Sequence, residues 1–175
     1  MGLASPRHAA RRPRRALDAP HRAARPDPRF GPLNYLNGWW YGTADLFEFA
    51  TVRFRLPGDL GGPMPRARAA LLAIERNQQP LLHQIEPYLR ATYLAARETL
   101  KVRTSRSRAG ATVPGAILHE HYRLEAVCAG AFGEDGLVEL ALQPRWAPGR
   151  TFGAYVQNNH LIEFRASIGL WRTPL

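Results

Sequence analysis

The chain has 175 residues, 45% of them hydrophobic and 22% charged, which is the balance of a globular protein with one core and no need of a second domain. Its formal net charge is +10, but residues 1–30 hold eight Arg against two Asp, a net +6, and Lys101, Arg103, Arg106 and Arg108 add +4; the remainder is neutral, which argues against a basic domain built around nucleic acid. Cys128 is the only cysteine, so an intrachain disulfide, a Cys-based zinc cluster and a CxxC redox pair are excluded and a reducing, cytoplasmic setting fits; no apolar run reaches the roughly 20 residues that span a bilayer.

Residues 1–30 offer only Leu3, Leu17 and Phe30 as large apolar side chains. Ordering such a segment costs about 1–2 kcal/mol per residue with little burial in return, so it reads as a disordered Arg/Pro-rich tail ahead of a single α+β domain over 31–175. Two uses of the tail stay open, an arm that grips phosphate through arginine or a solvated extension. From Phe30 the chain turns aromatic. Tyr35, Trp39, Trp40 and Tyr41, spaced by Asn34, Asn37 and Gly38, predict short strands joined by a turn. Val52, Phe54 and Leu56 then alternate with Arg53 and Arg55, which predicts a strand with one buried and one solvated face, ended by Pro57-Gly58-Asp59 and Gly61-Gly62-Pro63.

Two helices follow. Ala67, Ala70, Leu71 and Ile74 stand at the spacing of one helical face, Asn77 to Pro80 interrupts, and Leu82, Ile85, Leu89, Tyr93, Ala96 and Leu100 resume the stripe. His83, Glu86, Arg90 and Arg97 share the outer side, Glu86 and Arg90 in the favourable order for an ion pair. Pro87 falls inside this pattern, so the helix either kinks there or starts there. A polar, basic stretch at about 101–115 predicts a mobile loop. Beyond it Tyr122, Leu124, Ala126 and Cys128 predict one side of a strand, Gly133 to Gly136 a turn, and Val138, Leu140 and Leu142 the inner side of the next. Phe152, Ala154 and Val156, then Asn158-Asn159, then Ile162, Phe164 and Ile168 predict a closing hairpin. The expected fold is α+β, a mainly antiparallel sheet with a helical pair packed on one face.

Groups with chemical potential are few. His119-Glu120-His121, read as extended, would turn two imidazoles the same way, but the third ligand of a metal site is not identifiable and an exposed strand entry accounts for the pattern equally well. Cys128, on an apolar face, is expected to be a neutral buried thiol. Nucleotide-binding glycine motifs and a GxSxG frame are absent, so no cofactor and no catalytic residues are assigned. Large aromatics with arginine concentrate binding energy at interfaces, and the candidates for such a contact surface are Trp40, Trp146, Arg150 and His160. Trp39 and Trp40 are adjacent, so on a strand at most one of them joins the core.

The order of parts over roughly residues 30–169 resembles a bacterial domain-of-unknown-function family, numbered six-nine-eight-five. The shared features are a tryptophan strand, a Val-x-Phe-x-Leu strand, the helical pair with Asn77 at its break and Tyr93 late in the second helix, and Leu137 to Leu142 leading to Pro144-Arg145-Trp146. In that family the turn reads Trp-Asp-x-Glu-His-Gly, whereas this chain has Trp146-Ala147-Pro148-Gly149-Arg150-Thr151-Phe152-Gly153. The Trp and a later Gly are kept, the Asp and the Glu-His pair are not, and no role of those polar residues carries over. The resemblance implies no established activity and makes an immunity or inhibitor-like role thinkable. The expectation is therefore a non-enzymatic protein-interaction domain with an unknown protein partner and no membrane. The alternative is an accessory nucleic-acid binder that neutralises phosphate through residues 1–30 and 101–108.

Overall fold

In the computed structural model the described residues are 22–100, 116–130 and 136–167. Two antiparallel meanders flank a helical crossover. The first contains β1 (Arg22–Asp27), β2 (Gly31–Leu36), β3 (Trp39–Leu46) and β4 (Phe49–Asp59), with the short β5 (Gly62–Pro63) folded back on the end of β4. Helices α1 (Pro65–Arg76), α2 (Gln78–Leu100) and α3 (Ala116–His121) follow, and then β6 (Tyr122–Ala129), β7 (Leu137–Pro144), β8 (Phe152–Gln157) and β9 (His160–Ala166). The spatial order is β1-β2-β3-β4-β6-β7-β8-β9, antiparallel throughout except at the seam, where β4 and β6 run parallel. A hairpin cannot join parallel neighbours, and the helices supply the crossover that does. The fold is α+β, a mostly antiparallel sheet with its helices on one face.

Local chemistry explains the turns. Asn37–Gly38, Phe47–Glu48 and Asn158–Asn159 each hold two consecutive residues at positive φ, the two-residue hairpin whose twist suits antiparallel strands. Asn and Gly reach that region at low cost. Phe47 does not, and it is held there because its side chain is buried in the core and its amide donates to the Gln78 side-chain oxygen at the start of α2.

The helical stripes bury as their spacing predicts. Ala67, Leu71 and Ile74 of α1 and Leu81, Leu82, Ile85, Leu89 and Tyr93 of α2 join one core with Trp40, Phe54, Leu56, Val127, Leu140, Leu142, Ala154 and Val156 of the sheet. The interruption is Asn77 alone, whose amide bonds to the carbonyls of Ala73 and Ile74. Pro80 sits in the first turn of α2, where no amide donor is required. The helix neither starts nor stops at Pro87, which is exposed along with His83, so the carbonyl freed by the missing amide lies on the solvent side. Glu86 and Arg90 pair at 3.2 Å. Among the described residues no helix is long and apolar enough to cross a membrane.

Four expectations need correction. Residues 22–30 belong to the domain and not to a tail: Phe30 is buried edge-on to Phe54 at 5.0 Å, and the Asp27 carboxylate accepts from the amides of Arg29 and Phe30 and from the Arg68 fork. A count of apolar residues misses a strand pinned by polar bonds. Residues 1–21, the loop at 101–115 and Ile168 lie outside the described residues. In β6 a bulge between Leu124 and Ala126 breaks the alternation, so Tyr122 and Leu124 face the core while Ala126 and Cys128 face the other side. His119-Glu120-His121 closes a short helix instead of opening a strand. Finally Arg55 is buried, not solvated.

A candidate interaction surface on the helix-free face

Strand register carries one row of side chains across the sheet on the face opposite the helices: Asn34, Tyr41, Arg55, Cys128, Glu139, Tyr155 and Glu163 are successive cross-strand partners. At the centre of the row the polar groups are tied together. The Arg55 guanidinium lies over the Trp39 ring at 4.2 Å and its Nε donates to Cys128 Sγ at 3.1 Å. Glu139 is fully buried, and its Oε1 accepts from Tyr155 Oη at 3.1 Å and from Ser167 Oγ at 2.6 Å, while Oε2 has no hydrogen-bond partner. Gly153 makes room for this contact, because a Cβ there would stand 2.7 Å from Tyr155 Oη and 2.9 Å from Glu139 Oε1.

Electrostatics follow from burial. Burial pushes the Cys128 thiol up, the nearby Arg55 charge opposing this in part and Glu139 adding to it. The Tyr155 hydroxyl is raised by burial first and by Glu139 second. Both shifts favour the protonated forms.

Toward β1 the same face opens. A groove of about 810 Å³ is lined from it by Ala24, Pro32, Asn34, Leu36, Tyr41, Thr43 and Arg53. The contrast is positional: Ala126, Cys128, Leu137, Ala141 and Tyr155 on this face of β6–β8 are buried, whereas Asn34, Thr43 and Arg53 are exposed and Leu36, Trp39 and Tyr41 half-buried. A second cavity of about 1000 Å³ lies where α1 begins, lined by Arg25, Asp27, Asp59 and Arg68 among others. Its charges are engaged within the fold, Arg68 by Asp27 and Arg25 by the Gly61 carbonyl.

The residues expected to form a contact surface separate. Trp40 is a core residue, packed on Tyr35 at 5.2 Å with its indole N–H donating to the Asp59 carbonyl at 2.9 Å. Parity on β3 turns Trp39, not Trp40, outward. Trp146 packs edge-on against Tyr122 at 5.0 Å and Tyr93 at 5.3 Å. Arg150 is exposed in the turn after β7, and His160 is exposed at the start of β9. The two imidazoles of the HxH also part company. His119 stands 3.4 Å from Glu48 and against Phe49, while His121 stacks on Tyr93 at 4.0 Å and is lowered in pKa chiefly by burial. Among the described residues no group of three or more His, Cys, Asp or Glu is placed to hold a metal ion.

The sequence reading missed Arg55, Glu139 and Tyr155 as a unit. A signal for Glu139 was available: it stands alone within Leu137–Leu142, where both alternating sets are otherwise apolar, the mark of a strand buried on two faces. No family model, curated protein or solved structure matches the chain.

Proposed function

We propose that the chain is a non-enzymatic protein-interaction domain that receives its partner on the helix-free face, in the groove beside β1–β4. The observation that carries this reading is the groove itself, 810 Å³ of open concavity floored by Leu36 and Tyr41 next to the Arg55–Trp39 stack. Tyr and Trp offer a large rigid contact area that loses little side-chain entropy on binding. The titratable groups further along this face support a binding role over a chemical one, since burial keeps the Cys128 thiol and the Tyr155 hydroxyl protonated. An immunity or inhibitor-like role, and membership of the family named above, are part of the same proposal. Nucleic-acid binding would use residues 1–30 and 101–108; of these, 1–21 and 101–108 lie outside the described residues, and within 22–30 Arg25 is engaged by the Gly61 carbonyl and Arg29 by Glu75.

The test compares capture by the full chain with capture by Leu36→Asp and Tyr41→Asp in nuclease-treated lysate. A protein retained by the first and lost from both variants is the expected result. Identical retention by all three overturns the reading.

A further inference from the structure

We infer that the groove takes a segment of a partner protein bearing an acidic side chain, whose carboxylate is received between Arg53 and Arg123. This rests on the interaction reading above and gives it a partner chemistry. Arg53 on β4 and Arg123 on β6 flank the parallel seam and, among the described residues, share Glu125 as their counter-ion. Arg123 Nε lies 3.1 Å from one oxygen of Glu125 and Arg53 Nη2 lies 3.7 Å from the other. Their exposures differ sharply: the Glu125 side chain is 10% exposed, those of Arg53 and Arg123 62% and 67%. The carboxylate is sunk beneath two projecting guanidiniums, and one negative charge between two positive ones leaves the surface locally cationic.

Alternation along β6 creates this arrangement: Leu124 turns to the core, so Arg123 and Glu125 on either side of it share the helix-free face, and the bulge that follows brings Ala126 to the same face. Each guanidinium presents donors beyond those it gives to Glu125, and a planar fork of this kind matches a carboxylate. Arg53 also lines the groove, so an apolar ligand side chain on Leu36 and Tyr41 and an acidic one at Arg53 belong to one continuous surface. A polyanion is less well served. The described residues hold fourteen Arg against eleven Asp or Glu, so among them the cation pair is a local feature of a nearly balanced surface.

The test is selection of a random peptide library displayed on phage against the full chain, followed by titration of the enriched peptides by fluorescence polarisation. The inference expects enriched peptides to contain Asp or Glu beside an apolar residue. It also expects binding to weaken about tenfold in Arg53→Glu/Arg123→Glu, about threefold in Arg53→Gln/Arg123→Gln, and with added salt. The Gln pair guards against misfolding caused by two added acids beside Glu125. Peptides lost on Leu36→Asp or Tyr41→Asp but free of acids and indifferent to both arginine pairs overturn the acidic specificity while leaving the interaction reading in place. Peptides indifferent to all four variants overturn both. Displacement of acidic peptides by an equimolar single-stranded DNA oligonucleotide overturns the choice of a protein ligand.

Discussion

The contact between Asp27 and Arg68, beside the Arg29–Glu75 pair, ties the end of the outermost strand to α1, and it can be weakened without changing shape. Arg68 donates from Nε to Oδ2 at 2.7 Å and from Nη2 to Oδ1 at 3.1 Å, while Oδ1 also accepts from the amides of Arg29 and Phe30. The Arg68 hydrogen bonds, with help from those amides, hold the Asp27 carboxyl down from its usual 3.8 to about 2. At 1.36 kcal/mol per pH unit the drop corresponds to about 2 kcal/mol as an upper bound. Arg68 keeps 30% of its side chain exposed although Asp27 keeps only 7%, so solvent screening reduces the expected figure to about 1 kcal/mol. The sign follows from the depressed value: the stabilisation is complete above the unfolded-state value of 3.8 and disappears as pH falls through about 2. Asp27→Asn retains an acceptor for the two amides and removes the charge. Urea denaturation followed by tryptophan fluorescence should show the variant about 1 kcal/mol less stable near neutral pH, with the gap closing as the pH approaches the native carboxyl value. A gap that stays constant with pH would mean that the charge is not what stabilises the contact.

Three further outcomes follow from the helix-free face and the core. Glu139→Ala takes the acceptor at Oε1 from Tyr155 and Ser167 and empties a buried site, a loss of about 2–4 kcal/mol, whereas Glu139→Gln keeps that acceptor in the same volume and should stay within about 1 kcal/mol of the parent in the same denaturation assay; equal losses would show that the acceptor at Oε1 is not what stabilises the site. Gly42→Ala sets a methyl 2.5 Å from Phe54 Cζ and 2.7 Å from Leu33 Cδ2, and the overpacking should cost about 1–3 kcal/mol, read as a fall in the urea midpoint. Cys128, buried and raised in pKa, should react with an aromatic disulfide reagent far more slowly in the native protein than in urea; equal rates would place the thiol at the surface.

Periodicity made the helices and the inner faces of β7 and β8 legible, because Leu71 and Ile74 of α1, Ile85 and Leu89 of α2, and Leu140, Leu142, Ala154 and Val156 of the strands repeat at the spacing of their elements. Asn158-Asn159 identified its own turn. Other features needed the third dimension. Whether Trp39 or Trp40 faces inward depends on the pairing of Trp40 with Leu56, which adjacency in sequence cannot supply. The bulge at Glu125 reversed the faces of Ala126 and Cys128, and nothing in Tyr122–Ala129 marks the extra residue. Ala116–His121 is helical because Ile117 and Leu118 reach the core, a tertiary contact that outweighs a pattern compatible with a strand. The polar row was invisible for the same reason, since its members lie far apart in sequence and register alone brings them into line.

That register also explains why the open surface is confined to one half of the sheet. The parallel seam between β4 and β6 joins two meanders whose helix-covered faces are alike, both apolar and both buried. Their other faces differ. On β6–β8 the face is closed around Glu139, whose hydrogen bonds fix the positions of Tyr155 and Ser167. On β1–β4 alternate positions carry Asn34, Thr43 and Arg53, and the sheet is left open to solvent. Arg55 stands at the boundary, its guanidinium directed to Cys128 on the closed side and stacked on Trp39 on the open side. The groove is lined from β1–β4, Arg53 among its residues, and the Arg53–Glu125–Arg123 triplet lies at the seam where the open half meets the closed one.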